Sequence, residues 1–180
     1  MQRFDAAPWP VSLRVVSTIA TLVLGGVACV LYGTIPRATR VPFAETFGTF
    51  MPVVPAAIVV GALLFIVRGY ELDGTGLYVE RLLWRTPIGL EGLNRAWHDP
   101  SAMRRSLRLF GNGGLFGITG IFQNKALGRY RAFVTNPKQA VVLRYETRVV
   151  VLSPADPDAL LGYLTLVSPG TLIGAPPSAV

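Results

Sequence analysis

The chain has 180 residues, of which 51% are apolar and 15% are charged, and its formal net charge at pH 7 is +7. The apolar excess lies before residue 68, whereas 13 of the 17 lysine and arginine residues lie from Arg68 onward. This distribution argues against one uniformly soluble domain and indicates an apolar N-terminal part followed by a basic domain. The single cysteine, Cys29, excludes an intrachain disulfide.

After an N-terminal lead of residues 1–14, residues 15–35 are predicted to form a transmembrane helix. This run has no charged residue, and at about 1.5 Å per residue it reaches about 32 Å, close to the hydrocarbon thickness of about 30 Å. Trp9 precedes it, as suits a membrane interface. A cleaved signal peptide is the alternative, but its apolar stretch is usually about 7 to 15 residues long and precedes a small-x-small site. The run therefore favours a membrane anchor.

A second uncharged run, residues 47–67, predicts a second transmembrane helix. Pro52 and Pro55 fall in its first turns, where a missing N–H group costs least. The connecting loop, residues 36–46, is long enough for a tight connection and too short for a domain. Two helices joined in this way form an antiparallel hairpin, which places the N-terminus and the C-terminal domain on the same side of the membrane.

The arginine distribution predicts which side this is. The flanks on the side of the termini carry Arg3, Arg14, Arg68, Arg81 and Arg85. The connecting loop carries Arg37 and Arg40. Because positive residues concentrate in cytoplasmic segments, the domain is predicted to face the cytoplasm.

From residue 70 onward the pattern changes to short apolar runs separated by turns, which predicts a domain over residues 70–167. Asp73-Gly74 indicates a hairpin between Tyr70–Leu72 and Leu77–Trp84. Further strands are predicted at Ile88–Arg95, Arg104–Leu109, Leu115–Gln123, Arg129–Val134, Ala140–Tyr145 and Arg148–Leu152. About seven short strands without intervening helices favour an antiparallel sandwich or barrel.

One helix is predicted to follow the strands. Asp156 is a suitable N-cap and Pro157 a suitable first helical residue. Leu160, Tyr163, Leu164 and Val167 follow at the spacing of one apolar helix face. Residues 168–180 are rich in proline, glycine and small residues and are predicted to be a disordered tail.

A set of glycine, aromatic and proline motifs accompanies these elements. The motifs are Phe110-Gly111, Gly113-Gly114, Gly117, Gly120, Leu127-Gly128, Thr135-Asn136, Ser153-Pro154 and Asp156-Pro157. Together with the order of strands and one helix, they resemble the bacterial pleckstrin-homology-like (PH-like) family, which is often attached to membrane helices. The resemblance covers about residues 70–167 and departs at Glu146-Thr147, where a glycine-containing turn is expected. It implies a scaffold and, because most members have no assigned ligand, it names no ligand.

The glycines between residues 111 and 120 allow two interpretations. A phosphate-binding loop would need a preceding strand, a following helix and usually a lysine, and the segment after Gly114 is strand-like instead. The glycines are therefore expected to permit turns, bulges and close strand approach.

The basic residues of the domain are better candidates for a binding site. Arg104 and Arg108 are predicted on one side of a strand, Arg129 and Arg131 on one side of another, and Lys125 in a turn. Beside a bilayer such a rim could meet lipid phosphates, each residue adding about 1 kcal/mol near an anionic surface. The alternative is a solvated polar face.

No catalytic or metal-binding pattern is present in the sequence. His98 is the single histidine and lacks the partners that a metal site or a catalytic triad requires. Tyr130 and Phe133 are predicted on opposite faces of a strand, which argues against a stacking platform for nucleic acid. We therefore expect no enzyme activity, no cofactor and no nucleic-acid partner.

The sequence thus predicts a transmembrane hairpin that carries a cytoplasmic, mostly-β PH-like binding or assembly module. The expected partners are proteins or anionic lipid head groups, and homo-oligomerisation is left open. The alternative is an accessory subunit of a membrane enzyme or transporter. Neither predicted span carries a charged residue, where a substrate or ion path usually shows one.

Overall fold

The computed structural model describes residues 1–34, 50–74 and 76–174. Helix α1 spans Val11–Thr34, 24 residues, and is long and apolar enough to cross a membrane. Helix α2 spans Val53–Leu64, 12 residues, and in the described part of the chain α1 alone reaches the length of a span. The predicted loop 36–46 and the first residues of the predicted span 47–67 lie outside the described residues. The structure therefore supports one candidate span of the predicted hairpin.

The first sheet contains four antiparallel strands in chain order. They are β1 (Gln2–Asp5), β2 (Gly69–Asp73), β3 (Gly76–Glu80) and β4 (Arg85–Pro87). The predicted hairpin between β2 and β3 is confirmed, and Asp73 Oδ1 accepts a bond from the Gly76 N–H at 2.9 Å. The predicted strand Leu77–Trp84 ends earlier, because the Arg81 N–H bonds the Trp84 carbonyl at 2.9 Å and turns the chain.

The second sheet contains seven strands in the order β11-β5-β9-β10-β8-β7-β6. The strands are β5 (Leu93–His98), β6 (Leu107–Gly113), β7 (Ile118–Asn124), β8 (Gly128–Val134), β9 (Val141–Tyr145), β10 (Val149–Leu152) and β11 (Leu172–Ile173). The β10–β8 and β11–β5 pairs are parallel, and the other pairs are antiparallel. In the described residues the two sheets do not close into a barrel.

Four sequence predictions need correction. The lead, residues 1–14, contains strand β1. Of the predicted tail, residues 168–180, the described part up to residue 174 contains strand β11, and the remainder lies outside the described residues. Ile88–Arg95 is not an edge strand, because β5 begins at Leu93 and lies between β11 and β9. Arg104 lies in a turn before β6. The described residues therefore form eleven strands rather than about seven.

The N-terminal lead belongs to the fold because its backbone is bonded on two sides. β1 pairs with β2, and its Phe4 side chain is buried in the core between the sheets. Beyond the strand, the Ala7 N–H donates to the Ser153 carbonyl at 2.8 Å, and the Thr135 hydroxyl donates to the Ala7 carbonyl at 2.6 Å. The chain therefore enters α1 directly from the domain.

Two apolar clusters lie on the two faces of the seven-stranded sheet. One contains Phe4, Leu72 and Phe133 and is completed by Leu160 and Leu164, which come from helix α3, Pro157–Val167. Asp156 caps this helix as predicted, since its Oδ1 accepts from the Ala159 N–H at 3.0 Å. The second cluster contains Trp97, Phe122, Tyr130, Val142 and Val151. The two clusters confirm that Tyr130 and Phe133 face opposite ways.

Candidate functional site

A groove of about 620 Å³ separates helix α2 from strands β6, β7 and β8. On the helix side it is lined by Ile58, Gly61, Ala62 and Phe65. These positions follow the spacing i, i+3, i+4 and i+7, so they form one apolar face of the helix. A side-chain carbon placed on Gly61 would meet no atom within 4 Å, because the helix surface there is open to the groove.

The sheet side of the groove depends on a glycine pair. Gly111 of β6 and Gly120 of β7 are cross-strand partners with φ values of 108° and 142°. A side-chain carbon on Gly111 would lie 2.7 Å from the Gly120 Cα atom, and it would also strike the Thr119 carbonyl. Only glycine permits this approach. The prediction that these glycines serve close strand approach is confirmed at both positions.

Three arginines line the same groove: Arg81, Arg108 and Arg131. Arg81 is buried; its Nη1 donates to the Phe65 carbonyl at 2.7 Å and its Nε to the Thr86 hydroxyl at 3.1 Å. The Arg81 and Arg131 guanidinium carbons lie 5.2 Å and 4.8 Å from the centre of the Phe133 ring. Both cations therefore rest on one aromatic side chain.

The groove has positive charge without a matching carboxylate. Among the described residues, ion pairs within 4.0 Å involve only Arg3 and Arg85 as cations. Burial lowers the pKa of Arg81, and the neighbouring Arg131 charge lowers it further. An arginine stays protonated at neutral pH despite such a shift. An anion in the groove would offset this repulsion, and an apolar chain could lie against α2.

The predicted rim does not form one site. Arg108 and Arg131 line the groove, with Arg108 on the edge strand β6. Arg129 lines two other cavities, one of which Arg131 also lines, and Arg104 and Lys125 are exposed in turns that do not line the groove. Sequence reasoning missed Arg81 as a groove residue. Its signal is the charged pair Glu80-Arg81 between the apolar residues Val79 and Leu82.

Two loops of the domain contact the helices. Leu82, Leu83 and Trp84 form an exposed apolar turn between β3 and β4, and the Trp84 ring lies 5.2 Å from the Phe65 ring just after α2. The β6–β7 loop contacts α1, where the Ser17 hydroxyl accepts from the Phe116 N–H at 2.9 Å. The groove is therefore fixed beside the helices rather than on the far side of the domain.

The residues weighed for catalysis lie elsewhere. His98 ends β5, and its Nε2 lies 3.3 Å from the Lys138 carbonyl. Asp99 accepts bonds at Oδ1 from the Ser101 N–H at 2.8 Å and the Ser101 hydroxyl at 2.7 Å. Within the described ranges, no three histidine, cysteine or acidic side chains are grouped as metal ligands would be.

The chain was compared with known protein families, curated proteins and solved structures. A family model described as "Bacterial PH domain" matches residues 68–166, which is more than half of the chain. The match begins beside β2 and ends within α3, so it includes both sheets except β1 and β11. A search of curated proteins and a search of solved structures each found no significant match.

Proposed function

Because the chain belongs to the bacterial PH domain family, we propose that it is a membrane-anchored binding module whose groove holds an anionic lipid. PH domains are in general non-catalytic binding modules. The observation that carries the proposal is the combination, in one groove, of an apolar helix face and three arginines without carboxylate partners among the described residues. No part of this function needs a cofactor or a reaction.

Membrane anchoring is supported by α1 and by the connectivity of β1. The chain leaves the domain after β1, runs through α1 and must return to the domain at β2, because β1 and β2 are paired. A helix that crosses the bilayer therefore needs a second crossing, for which residues 47–64, which include α2, are the candidate, because Val67 is buried in the core of the domain. Cleavage of α1 as a signal peptide would remove a strand of the sheet.

The cytoplasmic side is supported by the arginines near the helix ends. Arg3, Arg68, Arg81 and Arg85 surround the exposed turn at Leu83, which is 73% exposed. Apolar and aromatic residues flanked by arginine suit the interface of an anionic cytoplasmic leaflet. We propose that this turn rests in that interface and keeps the groove open toward the lipid.

In the proposed complex the phosphate lies among Arg81, Arg108 and Arg131, and an acyl chain follows the α2 face. Arginine donates paired bonds to a phosphate, and such charge-assisted bonds are roughly twice as strong as neutral ones. The small residues Gly61 and Ala62 leave room for the chain between Ile58 and Phe65.

Lipid retained by the full-length chain tests this proposal. The protein is purified from membranes in mild detergent, and bound phospholipid is identified by native mass spectrometry. The Gly61→Leu variant should fill the groove without changing charge, and Gly25→Leu, an exposed site on α1 with equal space, is its control. Arg131→Gln is compared with Arg104→Gln. We expect bound anionic lipid to fall about tenfold or more in Gly61→Leu and Arg131→Gln, as loss of one strong contact implies.

Two outcomes would contradict the groove as the lipid site. One is equal retention of zwitterionic and anionic lipid by the unmodified protein. The other is the same loss of lipid in the control variants Gly25→Leu and Arg104→Gln, since these side chains lie outside the groove.

A second candidate function is docking of a protein at edge strand β6, which would make the chain an accessory subunit. Leu107, Leu109 and Phe110 are 67%, 46% and 75% exposed on this edge. Exposed edge strands with apolar side chains are templates for strand addition. A photo-crosslinking residue at Leu109 in the full chain should capture a protein, whereas one at Leu166, an exposed position on α3, should not. Equal crosslinking at both positions would rule this out.

A further inference from the structure

A second cavity lies at the other end of the seven-stranded sheet from the β6–β7 loop. It is bordered by the β7–β8 and β9–β10 turns and has a volume of about 430 Å³. Four arginines line it: Arg95, Arg129, Arg144 and Arg148. The described residues that line it include one carboxylate, Glu146, so the lining carries an excess of three positive charges. We call this cavity the arginine pocket.

The arginine pocket brings like charges together across a strand pair. Arg95 of β5 and Arg144 of β9 are directly opposite cross-strand partners. Like charges in that position destabilise a sheet, by about 0.2 to 1 kcal/mol in comparable pairs. Among the described residues neither arginine has a carboxylate within 4.0 Å. The pair is therefore unfavourable unless an anion is bound.

A further observation indicates that the cavity is prepared for a ligand. Aromatic rings hold the side chains in place, since the Arg144 guanidinium carbon lies 5.9 Å from the Trp97 ring centre and that of Arg148 lies 4.5 Å from the Tyr145 ring centre. A bound anion would meet guanidinium groups that are already oriented.

We propose that the arginine pocket binds a small soluble anion with two or more phosphate groups. Guanidinium forks match phosphate oxygens, and several of them together need a compact ligand with several charges. The volume lies in the usual range for small-molecule sites, roughly 300 to 1,000 Å³. The lining includes Asn94 and Thr147 and lacks the apolar helix face that an acyl chain would need. The ligand thus differs from the lipid of the groove.

Binding of inorganic pyrophosphate to the full-length protein in detergent tests this site. Titration calorimetry should show pyrophosphate binding about tenfold or more tighter than orthophosphate, since it places more charge in the cavity. Arg95→Gln and Arg129→Gln should each weaken pyrophosphate binding about tenfold. Arg104→Gln, an exposed arginine outside the pocket, is the control for net charge. Arg108→Gln, in the groove and outside both cavities that Arg129 lines, should leave pyrophosphate binding unchanged whether or not the groove binds lipid.

The proposal is wrong if pyrophosphate shows no binding at millimolar concentration, or if Arg104→Gln weakens binding as much as Arg95→Gln. Tighter binding of a poly-glutamate peptide than of pyrophosphate would also overturn it, because that result assigns the surface to an acidic protein segment. Thermal melting checks folding, and Arg95→Gln should melt no lower than the unmodified protein because it removes a repulsive pair.

Discussion

The groove and the arginine pocket are both basic, but their arginines are held in different ways. In the groove, the buried Arg81 bonds a backbone carbonyl and a hydroxyl and is part of the packing, whereas the exposed Arg131 lies on the Phe133 ring. In the arginine pocket, Arg95 and Arg144 oppose each other and Arg144 keeps a buried N–H without a partner among the described residues. Removing a charge should therefore weaken the fold at Arg81 and strengthen it at Arg95.

The largest expected effect is a loss of stability that changes the structure beside the groove and leaves the arginine pocket intact. Phe4→Ala removes a buried ring from the core between the sheets and should lower the free energy of unfolding by about 3 kcal/mol. The loss should loosen β1 and the base of α1, beside the groove, while pyrophosphate binding persists in the arginine pocket. Chemical denaturation measures the stability, with the exposed neighbour Gln2→Ala as control. Equal small losses in both variants would mean that β1 contributes little.

Arg81→Met should lower the free energy of unfolding by about 2 kcal/mol, because the Phe65 carbonyl and the Thr86 hydroxyl would lose their donor. The change keeps a similar length of apolar side chain over Phe133. Arg104→Met, at an exposed turn position, should change stability by less than about 0.5 kcal/mol. If Arg81→Met were more stable than the unmodified protein, charge repulsion at Arg81 would outweigh its hydrogen bonds, as we expect for Arg95 in the arginine pocket.

Two buried tyrosines, Tyr70 and Tyr145, predict how stability depends on alkaline pH. Burial raises the pKa of Tyr70 and of Tyr145 to about 12, and the nearby Arg148 charge opposes part of the rise at Tyr145. Since the folded state favours the neutral phenols, their contribution is complete below about pH 10 and is lost as pH rises through 12. Denaturation midpoints measured from pH 8 to 12 should fall across that window.

Tyr145→Phe isolates the contribution of Tyr145, which lines the arginine pocket, in the same measurement. At neutral pH it should cost about 1 kcal/mol, because the Tyr145 hydroxyl no longer donates to the Gly89 carbonyl. Above about pH 10 its stability should fall less steeply than that of the unmodified protein. An unchanged slope would mean that the pKa of Tyr145 is the same in the folded and unfolded states.

Local signals in the sequence predicted a large part of the domain. Asp73-Gly74 placed the first hairpin, Asp156-Pro157 placed the start of α3, and alternation placed Tyr130 and Phe133 on opposite faces. Strand β1 could not be found in the same way. It has four residues, of which only Phe4 is buried, and its partner β2 begins more than sixty residues later in the chain. Pairing at that distance leaves no local pattern.

The binding sites depend even more on tertiary arrangement. Of the predicted rim, Arg108 and Arg131 line the groove, but their partner Arg81 lies in the turn after β3 of the other sheet. The opposition of Arg95 and Arg144 depends on the register between β5 and β9, and a slip of one residue would turn one side chain to the other face. Composition shows that the domain is basic, and it does not show which arginines meet.

The smallest expected effect is also the one with the opposite sign. Arg95→Thr removes one charge of the cross-strand pair with Arg144 and adds a residue that favours strands, so it should raise the free energy of unfolding by about 0.2 to 1 kcal/mol. The same variant should weaken pyrophosphate binding about tenfold. Arg129→Thr, on β8 and outside the pair, should weaken binding by a similar factor without gaining stability. Denaturation curves at low salt and at 1 M salt complete the comparison, because screening at about 3 Å removes most of the repulsion and hence most of the gain. A gain that is independent of salt would assign the effect to strand propensity, and the Arg95–Arg144 pair would then not support an anion site.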